Sequence, residues 1–125
     1  MSERLRSIVN GMKIRPGDRV LEIGCGHGVA ASYICDQLDG GHLVAIDRSK
    51  KMIDAAIRRN KHHVDAGKAE FYVADAVSFD PGQRRFDKIL AVRVGLFHRD
   101  PTLVHSLLEK LLRPHGRVTI VYDEP

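Results

Sequence analysis

The chain has 125 residues, 43% of them hydrophobic and 29% charged, with a formal net charge of +4 and two cysteines. That length suits one domain over residues 1–125, the composition is that of an ordinary globular chain, and no apolar run approaches the ~18 residues of a membrane span. The opening MSERLRS lacks the apolar segment of a secretory leader, and two cysteines without a C-x-x-C pair argue against a disulfide framework or a zinc site, so a cytoplasmic location is expected.

The elements alternate. A first helix is expected over Glu3 to Gly11, with Leu5, Ile8 and Val9 on one side. Arg15-Pro16-Gly17-Asp18 reads as a turn into a strand at Arg19 to Ile23. Three glycines follow, and then a helix that runs to Leu38 and stops at Asp39-Gly40-Gly41. A second strand spans Leu43 to Ile46. Ser49 is placed to cap the next helix, whose apolar stripe is Met52, Ile53, Ala56, Ile57 and Val64, and Gly67 stops it. A third strand covers Ala69 to Val73, Asp80-Pro81-Gly82 turns, and Lys88 to Val92 forms a buried fourth strand. Asp100 caps a helix with Pro101 at its first position. Pro114-His115-Gly116 then turns into a fifth strand, Val118 to Tyr122. Alternating strands and helices imply an open parallel sheet with helices on both faces.

The stretch VLEIGCGHGVA, Val20 to Ala30, carries the most chemistry. An apolar strand enters glycines at Gly24, Gly26 and Gly28 and leaves in a helix. Glycine takes backbone angles closed to other residues and lets a ligand lie against the main chain. The helix start aims unpaired N–H groups at it. Strand, glycine turn and helix in that order make a dinucleotide- or nucleoside-binding corner. Val29 occupies the place of the third glycine in the nicotinamide pattern G-x-G-x-x-G, which disfavours an oxidoreductase. The basic residues cluster on one helix, Lys50, Lys51, Arg58, Arg59, Lys61, His62 and His63, without interleaved aromatic rings. That reads as a solubilising surface rather than a nucleic-acid platform, with the two histidines at the surface.

The pattern Glu22-x-Gly24-x-Gly26-x-Gly28 resembles motif I of the class I methyltransferases that use S-adenosylmethionine. VAID (Val44 to Asp47), YVADA (Tyr72 to Ala76), FDKILAVRV (Phe86 to Val94) and LLRPHGRVTIVY (Leu111 to Tyr122) are similar to that family's later motifs, in the same order. The resemblance covers roughly residues 15 to 122. It implies a doubly wound sheet of order 3-2-1-4-5, without the antiparallel strand pair with which family members usually continue. It further implies that Asp47 holds the ribose hydroxyls, that Asp75 reads the adenine amino group, and that the Ala76 N–H donates to a ring nitrogen. Arg48 would lay its stem along the adenine. Glu22 would order the loop or meet the methionine ammonium, Cys25 would offer its backbone, and Val92, at the end of strand four, would be among the cofactor-binding residues.

The expected function is methyl transfer from S-adenosylmethionine to a small-molecule acceptor. The alternative is a minimal module that binds S-adenosylmethionine or its demethylated product without turnover. No catalytic residue is assigned. His98 is the nearby residue with a suitable base pKa, although an exposed loop histidine explains it as well. Arg93-Val94-Gly95-Leu96 stands where the amino-methylating nucleic-acid branch has Asn/Asp-Pro-Pro-Tyr/Phe. The apolar strand Val118 to Tyr122 would be a sheet edge, so a homodimer that covers it is expected, by antiparallel strand pairing or by helix packing around it, with Asp123, Glu124 and Pro125 shielding part of that edge.

Overall fold

The computed structural model describes residues 2–122, and the expected shielding by the last three residues lies outside them. Its elements in chain order are α1 (Ser2–Gly11), β1 (Arg19–Ile23), α2 (Val29–Gln37), β2 (His42–Asp47), α3 (Lys50–Arg59), α4 (Lys61–Asp65) and β3 (Ala69–Val73). They continue with β4 (Phe86–Val92), α5 (Leu96–Arg99), α6 (Pro101–Leu111) and β5 (Leu112–Val121). The five strands form one sheet in the order β3-β2-β1-β4-β5, with every neighbouring pair parallel.

Strand side chains alternate between the two faces, and here both faces are apolar, as a parallel sheet covered on both sides requires. Val20, Leu43, Ala45 and Leu90 face α1, α2 and α3, where Val9, Ile34, Ile53 and Ala56 complete one core. Leu21, Ile23, Val44, Ile46, Ile89 and Ala91 face the other way, against Phe79, Phe97, Val104 and Leu111. Each fully buried Leu or Ile contributes about 1.5–3 kcal/mol.

Register brings the strand ends together. Ile23 pairs with Ile46 on one side and Ala91 on the other, Asp47 pairs with Val73, and Val92 pairs with Val121. The carboxyl ends of all five strands therefore share one rim. Strand order reverses at β1, and the crevice opens between β1 and β4, where such sheets bind ligands.

The structure corrects four local expectations. The helix after Ser49 is two helices, broken at Asn60. His63 is buried rather than at the surface, because α4 turns it toward Asp36 and the core. The fourth strand begins at Phe86. The fifth begins at Leu112 and ends at Val121, because Arg113 to Gly116 bulge out of the ladder between the Phe86–Leu112 and Lys88–Arg117 pairs instead of turning away from it. Both expected caps are present: Met52 N–H donates to Ser49 Oγ at 3.2 Å, and Leu103 N–H to Asp100 Oδ1 at 3.1 Å.

Candidate functional site

Three alternate positions after β1 are left-handed: Gly24 at φ 80°, Gly26 at 55° and Gly28 at 88°. They do different things. A Cβ on Gly24 would sit 2.9 Å from the Val92 carbonyl oxygen, and one on Gly28 would sit 2.7 Å from Asn60 Nδ2 and 3.0 Å from Ala56 Cα. Those two glycines are packing requirements. A Cβ on Gly26 would meet nothing within 4 Å. Its space is open, and it opens into the crevice.

The loop is held from below. Gly24 N–H and Cys25 N–H both donate to the Ile46 carbonyl, at 2.9 and 3.0 Å. Gly26 N–H donates to Asp47 Oδ2 at 2.9 Å, and Ser49 N–H to Asp47 Oδ1 at 2.9 Å. Asp47 thus fixes both the glycine loop and the entry to α3, and each of its oxygens keeps a further acceptor position. At the far end Asn60, fully buried, donates to the carbonyls of Gly28 and Ala56, both at 3.0 Å, and accepts from Ser32 Oγ at 2.7 Å. Arg59 Nε adds a bond to the His27 carbonyl at 3.2 Å.

The crevice has a volume of about 580 Å³, within the range of small-molecule sites. Gly24, Gly26, Asp47, Arg48, Asp75, Ala76 and Val92 all line it. Glu22, Cys25 and Gly28 do not; they lie behind its wall. Asp75 also ends its own loop, since its Oδ1 accepts from Ser78 N–H at 2.8 Å and Val77 N–H at 2.9 Å. Those bonds, Ser78's foremost, hold its carboxyl below the usual range. The wall beyond Val92 is Arg93, Val94, Gly95, Leu96 and Arg99. Arg93 is a non-glycine residue at φ 54°, kept there by its N–H bond to the Val121 carbonyl at 2.8 Å. His98 stacks on Tyr122, ring centroids 4.6 Å apart, and is not in the lining.

Glu22 shares the sheet face of Val20, between Ala45 and Leu90 on the flanking strands. It is 1% exposed, and its Oε1 has no hydrogen-bond partner among the described residues. Burial, with the Asp47 charge added, pushes its carboxyl up to about 8. The Cys25 thiol is raised further out of reach by burial and then by Glu22 and Asp47, so it is no nucleophile at neutral pH.

Residues 20–116 match a family model described as "Methyltransferase domain". The chain belongs to this family. Phosphoethanolamine N-methyltransferase 1 of Arabidopsis thaliana is 32% identical over 118 residues, 94% of this chain and 23% of that protein. An O-methyltransferase of Pyrenophora dematioidea is 28% identical over 113 residues, 90% of this chain and 42% of its own. The chain thus spans about a quarter to two fifths of these relatives. Among solved structures, a SAM-dependent methyltransferase from Thiobacillus denitrificans in complex with S-adenosyl-L-homocysteine has the same fold, with a TM-score of 0.78 and 23% identity over 96% of this chain and 48% of that one.

Sequence reasoning missed several residues of this methyltransferase domain. Asn60 gave no signal, because a polar residue inside a helical stripe reads as solvent-facing. Met52 looked like core and lines the crevice. Arg99 lies on a helix of four residues, too short to show a period.

Proposed function

We propose that residues 1–125 form one domain that binds S-adenosylmethionine in this crevice, and that its methyl group is passed to a small-molecule acceptor. One observation carries the reading: of three left-handed glycines two are packed shut, and the third, Gly26, leaves room for a ligand directly above the Asp47 carboxylate. The residues suit the cofactor. Asp47 has acceptor positions left for two vicinal hydroxyls. Asp75 and the Ala76 N–H stand beyond the end of β3, where an adenine edge would meet an acceptor beside a donor. The stem of Arg48 covers the same end.

The bound cofactor would supply a sulfonium methyl that needs no further activation. The chain's part is to hold donor and acceptor in line at about 3–3.5 Å and to keep water out. Val92, Val94 and Leu96 form the apolar wall that does so. The relatives' names support turnover over a binding module without catalysis. They also make phosphoethanolamine the first acceptor to try. Two buried free thiols, Cys35's raised to about 12 chiefly by burial, suit a reducing, cytoplasmic setting. No described helix is long and apolar enough to cross a membrane. The edge of β5, where Ile120 is 46% exposed, is the observation behind a homodimer, which light scattering tests: a 14.0 kDa species alone would contradict it.

Calorimetry with S-adenosylmethionine, S-adenosylhomocysteine and NAD tests the main reading. Both adenosyl ligands should bind and NAD should not. Binding of NAD alone, or of none, would overturn it.

A further inference from the structure

The two ends of the crevice differ in charge. Its carboxylates, Asp47 and Asp75, lie past β2 and β3. Past β4 the lining is apolar, Val94 and Leu96, with arginine at its border. Arg99 is the informative one. Side chains on a helix lean back over the preceding turn, toward the helix start. The start of α5 follows the end of β4, so the Arg99 side chain is carried back into the crevice. It crosses Gly95, four positions earlier, and Arg99 N–H bonds the Gly95 carbonyl at 3.0 Å. A Cβ on Gly95 would collide with Arg99 Nη1. The glycine is therefore what lets the guanidinium lie there. That guanidinium makes no hydrogen bond or ion pair with any described residue. An arginine fork presents planar paired donors that match carboxylate or phosphate oxygens.

We propose that Arg99, seated over Gly95, anchors an oxyanion group, carboxylate or phosphate, on the methyl acceptor. The acceptor class is then a molecule with an apolar body against Val94 and Leu96 and a negative group at Arg99. This rests on the cofactor reading above, which fills the Asp47 end of the crevice and leaves the Arg99 end for the acceptor. Arg99 is a specificity-determining residue in this account, not a proton carrier.

The test is calorimetry with phenyl phosphate against benzyl alcohol, on protein saturated with S-adenosylhomocysteine. Phenyl phosphate should bind the parent and benzyl alcohol should not. Arg99→Ala should weaken phenyl phosphate by about tenfold or more, the scale of one lost charge-assisted bond. Gly95→Ala, which keeps the charge but displaces it, should weaken it as well, and Arg99→Lys should recover part of the loss. Affinity for S-adenosylhomocysteine should be unchanged in all three. If Arg99→Ala weakens S-adenosylhomocysteine instead, the guanidinium serves the cofactor's own carboxylate and the proposal falls. It falls equally if phenyl phosphate fails to bind the loaded parent, or binds Arg99→Ala as tightly. Failure of the parent to bind S-adenosylhomocysteine at all is a different result, and sinks the cofactor reading.

Discussion

The two walls of the crevice are built on different principles. The wall at β1 and β2 is tied by hydrogen bonds to its main chain: Gly24 and Cys25 N–H to the Ile46 carbonyl, Gly26 and Ser49 N–H to the Asp47 carboxylate, and the Asn60 amide to the Gly28 carbonyl. The wall past β4 consists of side chains on a strained turn and a helix of four residues, with Arg93 left-handed and the Arg99 guanidinium without a partner among the described residues. A wall fixed by main-chain bonds keeps one geometry, which suits a ligand common to a whole reaction class. A wall of side chains on a short helix changes its shape and charge with one or two substitutions, which suits the ligand that differs. On the proposed reading, the two demands are separated along the strand order.

The contrast breaks most visibly at Asn60. Asn60→Ala removes three side-chain hydrogen bonds, to Gly28, Ala56 and Ser32, and empties a fully buried position, and should cost about 2–4 kcal/mol of stability. Leu96→Ala, on the half-buried opposite wall, should cost about 1–2 kcal/mol. Urea denaturation of both variants measures the difference, and equal losses would erase the distinction between the walls.

Asp47→Ala removes the acceptor that Gly26 N–H and Ser49 N–H share. Affinity for S-adenosylmethionine should fall by about 1.5–3 kcal/mol. Calorimetry on the folded variant reads this directly, and parent-like affinity would show that another residue holds the ribose.

Glu22 gives the most specific effect. Its carboxyl titrates near 4.5 when unfolded and at about 8 when folded. Between those values the folded chain holds the extra proton, so this group's stabilisation is whole below pH 4.5 and is lost as pH rises toward 8. Glu22→Gln should flatten that part of the stability profile. Thermal melts from pH 5 to pH 9 show it, and profiles of the same slope would mean that the Glu22 carboxyl finds a partner.

Much of the first wall was legible in the chain itself. Strands β1 to β4 are short apolar runs between turn residues, and a strand, spaced glycines and a helix can make few other objects. What escaped has a common cause. Asn60 acts through Gly28 and Ser32, each roughly thirty positions away, and no local pattern carries that pairing. The division of labour among the three glycines depends on what packs above them, Val92 and Ala56, not on their spacing. Pro114 and Gly116 look like a turn wherever they stand, and only the ladder to β4 makes them a bulge. The second wall has no period to read, because α5 ends after four residues.

The most direct test is Gly26→Val, measured by calorimetry with S-adenosylmethionine beside a circular dichroism spectrum and a thermal melt. The left-handed backbone should cost the variant about 1–2 kcal/mol, while the open space above Gly26 spares it any internal clash. A folded variant with no measurable binding is the predicted result. A folded variant that binds as tightly as the parent would mean that the cofactor does not lie against Gly26.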